Sequence, residues 1–157
     1  VITATLPPSG KWSKRLLALL PALLLIGALT CAACSKPPTP ASGPTAAQQT
    51  LSLVNQYRQS HNQPPLMFDD RLADLAQEHN VLMRRAGKLS HEGFDQRFGQ
   101  TGRRMCVENV SWNAMTPTEL VNDWRNSPGH NANLLNSEVR YAGIALDNGY
   151  ATYLACD

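Results

Sequence analysis

The C-terminal stretch RYAGIALDNGYATYLACD, residues 140 to 157, constrains the fold more than any other part of the chain. Two apolar runs, Val139 to Leu146 and Ala151 to Cys156, flank Asp147-Asn148-Gly149, and an Asn-Gly pair favours a tight turn between antiparallel strands. Such a hairpin needs cover, and the preceding sequence supplies it as helices.

In AAQQTLSLVNQYRQSHN, from about Thr45, Ala47, Leu51 and Val54 recur at helical spacing, and Leu53 and Tyr57 widen the stripe. The two prolines of QPPLMF stop that helix. A second helix starts at the candidate caps Asp69 and Asp70, buries Leu72, Leu75, Ala76, His79, Met83 and Ala86 along one face, and ends at Gly87. His79 is thereby read as a hydrogen-bonded core residue. A glycine-punctuated loop follows, with a short helix near Phe94 to Phe98, and then a strand, MCVENVSW. Glu108 points inward from that strand, and a buried carboxylate demands a partner. Thr116, Pro117 and Glu119 open another helix in the manner of a capping box, with Leu120, Val121 and Trp124 as its buried stripe. Pro128 and Gly129 are expected to end it and to turn the chain, sending His130 in a new direction. The expected fold is α+β, with a small antiparallel sheet covered by helices.

The front of the chain is of another kind. Lys11, Lys14 and Arg15 precede the apolar run LLALLPALLLIGALT and then CAACSKPP, the order of a secretory signal and short for a spanning helix. Small residues that end in cysteine resemble a bacterial lipoprotein signal, with Cys34 as the lipid acceptor and Cys31 as the alternative; a plain secreted or periplasmic protein is the simpler reading. Residues 1–34 are thus read as signal, 35–45 as a Pro/Ser/Thr/Ala-rich tether and 46–157 as the folded domain. That leaves roughly 120 residues, one domain with one modest core. Without the signal's three cations, 11 of the 14 basic residues face 12 acidic ones, so there is no electrostatic case for nucleic acid. Export also bears on Cys106 and Cys156, which in an oxidising compartment are expected to form a disulfide, the alternative being two thiols that never meet.

Of the four histidines, His61 has no evident partner, whereas His91 and His130 stand beside loops, as does Glu108. KLSH after a helix, then ENV, then WRNSPGHNANLL, then YAGIA resemble, in that order, the motifs of the CAP superfamily. This is the domain of cysteine-rich secretory proteins, antigen 5 and pathogenesis-related 1 proteins, also called the SCP domain, and the likeness is to its short bacterial branch. The resemblance runs from about Leu51 to Tyr153. It implies an α-β-α sandwich around a central antiparallel sheet, with a cleft in which two histidines and two acids bind a divalent metal, often zinc. His91, Glu108 and His130 match three of the four. Ser127 stands where animal and plant relatives have the second glutamate, and Val107 replaces the glycine before Glu-Asn. Two imidazoles and one carboxylate still form a zinc donor set, with Glu92 as a substitute acid; the alternative is a hydrogen-bonded polar cluster without metal.

Family members are linked to lipid and sterol binding and to protein interactions, and no single activity is common to them. The expectation is therefore an exported, lipid-anchored binding module of the bacterial envelope, with Ser35 after Cys34 pointing to the outer membrane by analogy with lipoprotein sorting. Its cleft, lined by His91, Glu108 and His130, would hold a lipid, a small apolar ligand or an envelope protein. The alternative function is a metal-dependent, peptidase-like hydrolase built on the same cluster. A structural envelope protein is a third reading.

Overall fold

The computed structural model describes residues 43–113 and 116–157. The expected signal and all but the end of the expected tether lie outside these residues. Five helices and four strands follow in the order α1 (Ala46–Ser60), β1 (Met67–Phe68), α2 (Asp70–Ala86), α3 (Phe94–Thr101), β2 (Cys106–Trp112), α4 (Pro117–Asn126), α5 (Pro128–Leu134), β3 (Tyr141–Asp147) and β4 (Tyr150–Cys156).

Local chemistry sets the ends of these elements. The Thr45 hydroxyl accepts from the Gln48 N–H, and the Gln48 side chain accepts from the Thr45 N–H, a reciprocal box that satisfies two free donors. Asp69 caps α2 by accepting from the Leu72 N–H, and Gly87 closes it with a left-handed φ of 60°. Thr116 accepts from the Glu119 N–H at the start of α4. Asn148 and Gly149 both have positive φ, 48° and 84°, as a tight hairpin turn requires.

The sheet order is β1-β3-β4-β2. β4 pairs antiparallel with β3 on one side and with β2 on the other, where Cys106 faces Cys156. The sheet departs from the antiparallel expectation at its other edge. Met67 and Phe68, which sequence reading left as a break between helices, pair parallel to Tyr141 and Ala142, so the sheet is mixed.

Helices cover both faces. On one, Leu51 and Val54 of α1 and Leu120 and Trp124 of α4 pack on Ile144, Tyr153 and Ala155. On the other, Leu72 and Leu75 of α2 pack on Leu154 and Cys156. Gly143 lets α2 lie directly on β3, since a Cβ there would run into the backbone of Leu72 and Ala73. Arg58, fully buried, ties α1 to the loop before β1 and to the end of α5 by donating to the carbonyls of Pro64, Leu134 and Asn136 at 2.9, 2.6 and 2.9 Å.

Candidate functional site

Glu108 sits on the face of β2 that α2 and α3 cover, and its side chain is only 2 % exposed. Its partner is Arg97 of α3. The guanidinium donates twice, Nε to Oε2 at 2.9 Å and Nη2 to Oε1 at 2.8 Å, a bidentate fork closed on the carboxylate. Arg97 is itself steadied by donating through Nη1 to the Glu92 carbonyl at 2.8 Å. Oε1 of Glu108 also meets Nδ1 of His91 at 2.8 Å.

Because the carboxylate oxygen accepts, His91 carries a proton on Nδ1, which leaves Nε2 as the ring nitrogen not engaged by Glu108. Half of the His91 side chain, 52 %, is open to solvent. An imidazole held at Nδ1 by a buried carboxylate presents its Nε2 to a ligand in one orientation.

His130 comes from the other layer. It does not follow a free turn as expected: Ser127, in extended conformation, is both the last cap of α4 and the first cap of α5, and Pro128 takes the first helical position, so His130 lies in the first turn of α5. α5 is held against the edge strand by two asparagines. Asn109 donates to the His130 carbonyl at 3.0 Å, and Asn133 donates to the Glu108 carbonyl at 3.1 Å and to Asn109 Oδ1 at 2.8 Å. His130 is half-buried. Desolvation, and then the nearby His91, lower its pKa, so it stays neutral near pH 7.

Behind these lies His79. It is 2 % exposed, and its Nε2 donates to the Ser90 carbonyl at 2.7 Å. Burial is the largest cause of its lowered pKa and the Arg97 charge the next, so its 3.9 Å approach to Glu108 is contact with a neutral ring. This is the core role expected for it. His61 does have partners, contrary to the sequence reading: its Nδ1 lies 3.0 Å from the Tyr57 carbonyl and its ring packs on Tyr57. Glu92 is exposed and reaches the cluster through its carbonyl rather than its carboxylate.

The three matched residues thus come together, but not as ligands of one ion. Both oxygens of Glu108 are taken by Arg97, one of them also by His91, and the guanidinium already supplies the cation the carboxylate needs. Two imidazoles remain, fewer than the three protein ligands that a catalytic zinc keeps. Among the described residues no group of three or more His, Cys, Asp or Glu side chains could hold a metal. The described residues thus offer a cation two imidazoles and no carboxylate oxygen of Glu108 that is free of Arg97. Sequence reading missed Arg97, Asn109 and Asn133. The signal for Arg97 was present, since an inward Glu108 requires a cation from a nearby element.

A three-layer α+β sandwich with a histidine and a buried glutamate beside its edge strand defines the class of protein. The chain belongs to the cysteine-rich secretory protein family, CAP, whose model matches residues 51–157. Among curated proteins it is 29 % identical over 117 residues to the membrane protein YlbC of Bacillus subtilis, covering 69 % of this chain and 33 % of that one. It is 28 % identical over 113 residues to YkwD of the same organism, covering 67 % and 44 %. The chain spans less than half the length of either. Among solved structures, an extracellular SCP-domain protein of Bacillus anthracis superposes with a TM-score of 0.68 at 26 % identity, over 71 % of this chain and 40 % of that one. An outer surface protein of Borrelia burgdorferi shares the fold, with a TM-score of 0.62 at 21 % identity over 68 % and 88 %.

Proposed function

We propose that this chain is an exported bacterial binding module, anchored by lipid at Cys34, that holds a ligand or an envelope partner at the face where His91 and His130 meet. The observation that carries it is the Arg97–Glu108–His91 chain of hydrogen bonds, which fixes Nε2 of His91 without any added ion. Two observations support export: the Cys106–Cys156 disulfide and the likeness to an extracellular SCP-domain protein of Bacillus anthracis. Ser35 favours the outer membrane as the place of the anchor. The same hydrogen bond favours a second reading, a hydrolase in which His91 Nε2 acts as general base. In that reading Glu108 orients the imidazole and balances the charge it gains.

Thermal unfolding of residues 40–157, metal-stripped and screened against fatty acids, sterols and short peptides, tests the proposal. A ligand at a hundred times its dissociation constant adds about 2.7 kcal/mol of stability. The expected result is such a gain in the wild type and its loss in His91→Ala and His130→Ala. A gain that survives both substitutions places binding elsewhere. Peptide turnover by the wild type, lost in Glu108→Gln, decides for the hydrolase.

A further inference from the structure

The last turns of α2 and the end of the sheet beside them expose side chains that neither core layer uses. Leu82 is 57 % exposed, Leu89 40 % and Trp112, the last residue of β2, 51 %. Arg84 turns from α2 toward β3, where its Nε meets Asp147 Oδ2 at 3.2 Å. Leu82, two residues earlier, is rotated about 200° around the helix and turns the other way, toward α3. There it forms part of the wall of a groove of about 450 Å³ between α2 and α3. Beyond Gly87 the chain folds back along that same flank, because the Ser90 carbonyl is held by His79, and this carries Lys88 and Leu89 with it.

Trp112 reaches the same end from the sheet. Its ring stacks on Tyr150 at 5.9 Å and 7°, and Tyr150 packs with Met83 of α2 and with Val110. Arg85 lies in the last turn of α2, on the solvent side away from Met83, and Lys88 follows Gly87; neither has an ion-pair partner among the described residues. The nearest acids of the groove, Glu78 and Glu92, lie further back, one turn before Leu82 and beyond Ser90.

We propose that the tip of α2, with Trp112, docks on an anionic lipid surface. An exposed indole beside leucines suits the boundary between headgroups and acyl chains, and unpaired cations at the same level suit lipid phosphates. The patch is separate from His91 and His130, and its test is independent of theirs.

Residues 40–157 form one compact unit that contains both core layers and the disulfide, so they can be tested without the apolar front of the chain. Their sedimentation with vesicles of phosphatidylcholine alone is compared with vesicles made half of phosphatidylglycerol. The expected result is binding to the anionic vesicles only. Each cation near such a surface contributes about a fivefold gain, so Arg85→Glu/Lys88→Glu lowers binding by at least about thirtyfold while its melting temperature stays at the wild-type value. Trp112→Ala weakens binding too, but it also removes the stack on Tyr150, so the charge reversal is the deciding variant. Equal binding to both kinds of vesicle, unchanged binding of the double variant, or capture of a soluble protein with no vesicle binding each overturns the proposal.

Discussion

Glu108 is the residue on which the site turns, and its environment makes two predictions. Arg97→Leu leaves a carboxylate in the interior with no cation, which costs about 3 to 5 kcal/mol, whereas Arg97→Leu/Glu108→Leu recovers most of that loss because no lone charge remains. Denaturant titration of both variants measures the difference. The second concerns protons. His79 and His130 both have pKa values lowered from 6.5, chiefly by burial, so below pH 6.5 the unfolded chain takes up protons that the folded one does not. The stability these rings contribute is present above pH 6.5 and is lost as pH falls from there through their folded values. Melting temperatures followed down from pH 7.5 should decline, and more gently in His79→Gln. The need of Glu108 for a partner was legible in the sequence. The identity of that partner was not, because Arg97 is an ordinary surface residue type in a short amphipathic helix, and only the packing of α3 against β2 buries it.

Elements with strong local signals were placed from the sequence alone. Gly87, Thr116 with Pro117, and Asn148-Gly149 each announce a boundary by their own backbone chemistry, and each boundary lies where that chemistry puts it. The misread elements lack such signals. Met67–Phe68 is two residues long and becomes a strand through its pairing with β3, a contact distant in sequence. Pro128 stops α4 and starts α5 at once, and a proline's punctuation is the same in both roles. At this scale the closest contact is that of α2 with β3 over Gly143. Gly143→Ala forces the two elements apart and is expected to cost about 3 kcal/mol, read by the shift of the urea midpoint at constant slope.

Among the described residues, the disulfide closes a loop that contains β2, α4, α5, β3 and β4, with a sequence separation of 50. Replacing Cys106 and Cys156 by alanine is expected to cost about 4 kcal/mol by loop entropy, a large part of a small domain's stability, and equilibrium unfolding of the double variant checks it. Two layers meet at the free edge of β2: His91, Glu108 and Arg97 come from the α2–α3 side, and His130 arrives with α5 from the other. That meeting was legible as four ordered motifs, which left open a metal site or a polar cluster; the guanidinium of Arg97 on Glu108 was not legible. The most direct test is the ring-nitrogen NMR spectrum of residues 40–157 at pH 7.5, in the wild type and in Glu108→Gln. The expected result is a His91 with a proton held on Nδ1 in the wild type, and loss of that hydrogen-bonded proton signal in the variant. A wild-type His91 without a proton on Nδ1, or a signal indifferent to Glu108→Gln, would contradict a site organised by Arg97 and Glu108.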